Sequence, residues 1–256
     1  MLDPTRRFSK RVENYLRYRP TYPQAVLTLL ETECGLTPDS VIAEPGSGTG
    51  LLTQLFLRNG NEVIGIEPNA EMRVAGDREL AAYPKFSSID ATAENTTLAD
   101  HSVDFVVAGQ AFHWFDRERA QKEFSRILKP EGWAVLIWNG FRSDASPLMT
   151  GYHALILRHG TDYVEVRREL DHHDIESFFA PDSCRIATFN FQQAFDYAGL
   201  EGRLLSSSFV PEPGHPNYQP MLRELRDLFD LNQADGKVAF EYETEVYYGR
   251  VASVAI

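Results

Sequence analysis

The stretch Glu44-Pro45-Gly46-Ser47-Gly48-Thr49-Gly50 packs three glycines and a carboxylate into seven residues. Glycines let the backbone turn sharply and let a ligand approach without meeting a Cβ. A dinucleotide-binding turn wants glycine at its first, third and sixth positions. Here Leu51 stands at the sixth. Glu44, two residues before the first glycine, suits a ligand with an ammonium group and would repel a pyrophosphate. The turn therefore points away from a nicotinamide cofactor. Further on, Glu67 closes an apolar run. An acid there is placed to accept hydrogen bonds from both hydroxyls of an adenosine ribose, its bland counterpart being a solvated charge at a strand end.

Other residues have chemistry open to them. His113 is the candidate general base, with an ordinary pKa of about 6.5; the competing role is a packed histidine within the aromatic stretch Ala111 to Phe115. Trp114 reads as a pocket wall. Between Ser143 and Ala180 the chain carries His153, Arg158, His159, Arg167, Arg168, His172 and His173. Arginine forks pair bidentately with carboxylates, so an acidic substrate is one reading. The other is a solvated helix face on which Arg167 and Arg168 pair with Glu165 and Glu169. Adjacent histidines point different ways and no third ligand stands at metal spacing, so no metal is expected. Cys34 and Cys184 lack the spacing of a zinc or redox pair.

The elements that must hold these residues read as alternating strands and helices. Apolar runs at 41–44, 62–67, 86–89, 103–108 and 133–138 predict five strands. A helix carrying Leu51, Leu52, Leu55 and Phe56 on one face follows the glycine turn and ends at Gly60. A second runs from Asn69, its N-cap, to about Ala82; a third, Arg117 to Leu128, is stopped by a turn at Lys129-Pro130-Glu131-Gly132. Strands alternating with helices imply βαβ units in a parallel sheet, with ligands beyond the strands' carboxyl ends. Residues 143–180 look helical and polar. A strand is expected at 185–191, helices at 195–205 and 221–231, and a long strand at 238–251.

With 256 residues the chain suits one decorated domain. Its 25 basic residues against 37 acidic ones leave a net charge of −12, which opposes phosphate backbones and anionic membranes. No apolar run reaches the roughly 18 residues of a membrane helix. The basic, tyrosine-rich start shows no signal-peptide pattern, and two cysteines make no disulfide framework, so the expectation is a soluble, cytoplasmic protein.

Glu-x-Gly-x-Gly-x-Gly, followed by Gly65-Ile66-Glu67-Pro68-Asn69-Ala70-Glu71-Met72, resembles a class I S-adenosylmethionine-dependent methyltransferase. Four further segments are similar to the type 11 branch that includes trans-aconitate methyltransferase-like proteins. They are Tyr15 to Pro23, Ala91 to Glu94, Ser102 to Asp116 and Leu128 to Gly132. The likeness spans about residues 15–139. It implies an α/β fold, a Rossmann-like seven-stranded mostly parallel sheet with helices on both faces and a helical insertion after the fifth strand. Residues 1–35 would form an N-terminal lid, 36–140 the cofactor-binding core, 141–182 the insertion roofing the substrate, and 183–256 the strands and helices completing the sheet.

The resemblance also implies roles. Gly46, Gly48 and Gly50 would hold the methionine part of S-adenosylmethionine, with Glu44 facing its amino group. Glu67 would take the ribose hydroxyls, Pro68 and Met72 would pack near the adenine, and Thr92, Ala93 and Glu94 would line its edge. Thr92 stands where many relatives carry Asp. Gln110 would lie beneath the sulfonium, and Tyr18 and Arg19 would close over the cofactor. The implied activity is methyl transfer by in-line displacement to a small molecule, with a carboxylate oxygen as one acceptor and His113 as the catalytic residue if the nucleophile is protonated. A catalytically silent module that binds the cofactor is the alternative, and a nicotinamide oxidoreductase a weaker one. The partner is a small-molecule acceptor, with neither nucleic acid nor membrane, and the assembly a monomer or homodimer.

Overall fold

The computed structural model describes residues 17–161, 163, 172–181 and 183–251. Seven strands form one sheet: β1 (Val41–Pro45), β2 (Glu62–Ile66), β3 (Phe86–Ile89), β4 (Val103–Gly109), β5 (Leu128–Phe141), β6 (Arg185–Phe195) and β7 (Val238–Gly249). Their spatial order is β3-β2-β1-β4-β5-β7-β6. The first five run parallel, and β7 pairs antiparallel with both β5 and β6.

Helices cover both faces. Against one pack α1 (Ala25–Cys34) and α2 (Thr53–Asn59), burying Val26, Leu27, Leu30 and Phe56 on Ile42, Phe105, Val135 and Ile137. Against the other pack α4 (Arg117–Ile127) and α6 (His172–Phe179), whose Phe124, Ile127, Phe178 and Phe179 meet Ala43, Val106, Leu136 and Trp138. Successive strand residues point to opposite faces, and here both faces are buried. That is why the central strands read as unbroken apolar runs. Between β2 and β3 runs α3 (Ala70–Glu79), whose N-cap Asn69 accepts from the amides of Glu71 and Met72 at 3.0 and 3.1 Å.

A third apolar cluster lies at one end of the sheet. There α5 (Pro147–His159), α7 (Tyr197–Leu205) and α8 (Tyr218–Asn232) bury Leu155, Leu204, Leu225 and Phe229 against Phe240 and Tyr242. The helices between β6 and β7 thus share a core with the insertion that follows β5. The helical span expected over 143–180 begins only at Pro147 and ends its first helix at His159.

The boundary before β5 also differs from the sequence reading, as does that of β6, which runs on to Phe195 where a helix was expected to begin. Lys129 to Gly132, expected as a turn before a strand starting at Trp133, belongs to β5. The register runs Val103 to Leu128 and then Phe105 to Trp133, so the four residues bulge opposite Asp104 alone. The Asp104 carboxylate pins the bulge by accepting from Lys129 Nζ at 2.8 and 2.9 Å, and it also caps the amide of Val41 at 2.8 Å. Such cross-strand partners are invisible to a turn motif read along the chain. Among the described residues no helix is long and apolar enough to cross a membrane.

Candidate active site

The strand order reverses between β1 and β4, and the loops leaving their carboxyl ends part there to form a crevice. The glycine turn fills one side. Gly46, Gly48 and Gly50 have φ of 72°, 58° and 84°, a left-handed backbone that favours glycine. Their surroundings differ. A Cβ on Gly46 would lie 2.5 Å from Ala111 Cβ, so this glycine lets the loop after β1 touch the loop after β4. A Cβ on Gly50 would lie 2.5 Å from Leu80 Cδ1, behind the turn. At Gly48 the nearest atom is Met72 Cε at 3.4 Å.

Glu67, 8% exposed, ties the glycine turn to the loop after β2. One carboxylate oxygen accepts from the Gly48 amide at 2.9 Å and the other from the Asn69 amide at 2.8 Å. Burial pushes its pKa up, while those two amides and the nearby Arg73 guanidinium pull it back. Glu44, 2% exposed, lies deeper, and its carboxyl accepts from Thr53 Oγ1 at 2.6 Å. Burial raises its pKa to about 8, against the Thr53 hydrogen bond and reinforced by the charge of Glu67.

Together these residues bound a cavity of about 290 Å³, lined by Gly46, Gly48, Glu67, Pro68, Asn69 and Met72 on one side. Thr92, Ala93, Glu94, Gly109, Gln110, Ala111, Trp114 and Phe115 line the other. Its size is at the lower end of ligand pockets, about 300–1,000 Å³. Glu94 is fixed by accepting the Asp116 amide at 2.8 Å. Gln110, with a φ of 57°, donates from Nε2 to the Asn139 carbonyl at 2.8 Å.

Nine of the cofactor residues named from the sequence therefore meet in one cavity: Gly46, Gly48, Glu67, Pro68, Met72, Thr92, Ala93, Glu94 and Gln110. Four do not line it. Gly50 packs on Leu80, and Glu44 is held by Thr53 below the turn. Tyr18 lies against α7, where a Cβ on Gly202 would overlap its ring, and Arg19 Nη2 donates to the Ser206 carbonyl at 3.0 Å. His113 sits in the short 3-10 turn Phe112–Trp114, its ring 4.7 Å from that of Trp114, and it is not part of the wall although Trp114 beside it is. The sequence reading missed Asn69, Gly109, Ala111 and Phe115 as wall residues. The signal for Gly109 and Ala111 was their place at the end of β4.

A second cavity of about 600 Å³ adjoins the first, and Gln110 belongs to both walls. Of the basic residues considered for an acidic substrate, Arg158 and His159 are paired with Glu224 on α8 at 2.6 and 2.8 Å. His153 packs edge-on against Phe141 and Tyr163. Arg167 and Arg168, and the side chains of His172 and His173, lie outside the described residues. Tyr15 and Leu16 of the N-terminal segment do as well.

Residues 43–136 match the model of the methyltransferase domain. An uncharacterised methyltransferase from Schizosaccharomyces pombe is 36% identical over 143 residues, which is 56% of this chain and 55% of the relative. The chain thus spans about half the length of the curated relatives it matches. Among solved structures, a type II methyltransferase assignment from Anaeromyxobacter dehalogenans superposes with a TM-score of 0.69 at 20% identity, covering 91% of this chain and 98% of that one. The Haemonchus contortus phosphoethanolamine N-methyltransferase 2, solved with phosphomonomethylethanolamine and S-adenosylhomocysteine, superposes with a TM-score of 0.55 at 15% identity over 94% of this chain and 56% of that one.

Proposed function

From the premise that residues 43–136 are a methyltransferase domain, on a fold of the class I S-adenosylmethionine-dependent kind, we propose that the chain moves a methyl group from S-adenosylmethionine to a small molecule. The observation that carries this is the cavity at the β1/β4 crevice, in which the glycine turn and Glu67 face the loops after β3 and β4. The S-adenosylhomocysteine held by the Haemonchus neighbour is in keeping with it.

The residues present fit such a cofactor. Gly48 leaves the wall open where a side chain would reach towards Met72, and Gly46 lets the loops after β1 and β4 close around the cavity. Each Glu67 oxygen accepts one amide, which leaves lone pairs on both for ribose hydroxyls. Pro68, Met72, Ala93 and Phe115 offer apolar surface to an adenine, with Thr92 and Glu94 at its edge. Gly50 and Glu44 act from behind, the first by seating the turn on Leu80 and the second by anchoring it to α2 through Thr53. Tyr18 and Arg19 are docked on α7, and in this reading they belong to a lid over the cofactor.

Held there by the glycine turn and Glu67, S-adenosylmethionine would supply an activated methyl group to a lone pair on the acceptor, its sulfur keeping the electrons of the broken carbon–sulfur bond. What the chain must do is hold the acceptor in line and keep water out, and orientation of this kind is worth roughly 7–11 kcal/mol of barrier. Gln110, clamped to Asn139 and shared by both cavities, stands where the two reactants meet. His113 receives no step, since it borders neither cavity. A module that only bound the cofactor would have no use for the second cavity, which favours catalysis over silent binding. The acidic acceptor considered from the sequence loses its support from Arg158 and His159, both of which Glu224 already engages.

Isothermal titration with S-adenosylmethionine, S-adenosylhomocysteine and NADH tests the reading. Binding of both adenosyl ligands without NADH is the expected result. Silence with both, or binding of NADH in their place, overturns it.

A further inference from the structure

The second cavity is unlike the first in its chemistry. Its described wall comprises Gln110, Trp138 to Asp144, Ile175, Glu243, Glu245 and Tyr247. Three of these are carboxylates, Asp144, Glu243 and Glu245, against the single guanidinium of Arg142. The register explains their convergence. Trp138 pairs with Glu245, Gly140 with Glu243 and Leu136 with Tyr247, so the side chains of Trp138, Glu243, Glu245 and Tyr247 share one face of the sheet. Gly140 contributes no side chain, and a Cβ there would meet nothing closer than the Glu243 carbonyl at 3.9 Å. Space is thus left beside Glu243. That half-buried carboxylate has no hydrogen-bond or ion-pair partner among the described residues.

Two aromatic rings complete the wall, Trp138 and Tyr247, edge to face at 5.7 Å. Trp138 is 7% exposed, and its indole N–H finds no acceptor among the described residues. Carboxylates beside aromatic faces in a partly desolvated recess are the combination that holds organic cations.

We propose that this cavity receives the methyl-accepting substrate, and that the substrate is a small amine bound as its ammonium ion, which passes a proton to the Glu243 carboxylate so that the freed nitrogen lone pair can take the methyl group. The identification of the cavity as the acceptor's place rests on the reading of its neighbour as the S-adenosylmethionine site. The preference for a cation rests on the wall itself. Glu243 is the specificity-determining residue, and Gly140 keeps the approach to it open.

The test uses two probes of like size and opposite charge, 3-aminopropanol and 3-hydroxypropanoate, titrated into the full chain with and without saturating S-adenosylhomocysteine. Binding of the amine and not of the carboxylate is expected. Glu243→Gln should weaken the amine at least tenfold, and Gly140→Leu, which fills the space, should do likewise. Both variants should keep their affinity for S-adenosylhomocysteine within about twofold. Binding of 3-hydroxypropanoate in preference, binding of neither probe, or amine affinity unchanged in both variants overturns the proposal. If the amine binds in a Glu243-dependent way while S-adenosylhomocysteine does not bind at all, the cofactor reading falls and the cation site stands.

Discussion

Glu44 and Glu67 flank one glycine turn and are held in opposite ways. Glu67 is bracketed by two amides that favour its charge, whereas Glu44 is sealed in with a single hydroxyl. For Glu44 the fold favours the neutral form, because burial raises its pKa from 4.5 to about 8. Its stabilising contribution is therefore complete below about pH 4.5 and is lost as the pH rises to about 8, above which folded and unfolded chains are both ionised. Glu44→Gln keeps a neutral side chain at every pH. Relative to wild type, its stability in urea unfolding should rise on the order of 3 kcal/mol between pH 5.5 and 8.5. A constant difference would mean that Glu44 is ionised throughout. Glu67→Ala should weaken S-adenosylhomocysteine binding by about 1–3 kcal/mol, the cost of losing hydrogen bonds to a charged group; unchanged calorimetric affinity would remove it from the site. His113→Ala should leave turnover within about threefold, since no general-base loss of roughly 10²–10⁴ is at stake where the ring borders neither cavity.

At the scale of the element, the glycine turn separates binding from folding. Gly48→Val adds a side chain facing Met72 and the cavity, and strains a φ of 58° at a cost of about 1–3 kcal/mol. Gly50→Val adds the same strain and a collision with Leu80, so its cost should reach about 2–5 kcal/mol. Urea unfolding should rank Gly50→Val as the less stable of the two, and calorimetry should find Gly48→Val folded but unable to bind. Most elements were legible because their signals are local. Asn69 caps α3 as its position before the helix predicts, and Gly60 ends α2 in the left-handed conformation. The head of β5 was not legible. Lys129 to Gly132 has turn composition, and Asp104 on the neighbouring strand together with Arg250 beyond β7 holds it in the sheet as a bulge.

Over the whole molecule, the β1/β4 crevice gathers residues from the ends of β1, β2, β3 and β4, so a ligand there links the parallel half of the sheet. At a hundred times its Kd, S-adenosylhomocysteine should add about 2.7 kcal/mol and raise the melting temperature by about 5–10 °C. A melt that does not respond would place the ligand elsewhere. The sequence alone determined the alternation of strands and helices, the glycine turn, the acid at the end of β2 and the resemblance that named a cofactor. Those features depend on neighbours in the chain, on hydrophobic period and on the conformational freedom of glycine. Tertiary structure decided which residues share a wall. It drew Glu44 and Gly50 behind the turn, set Arg158 and His159 against Glu224, and brought Glu243 and Glu245 beside Trp138. The antiparallel register of β5 with β7 joins residues about a hundred positions apart, and no periodicity along a chain encodes which strand will lie next to which.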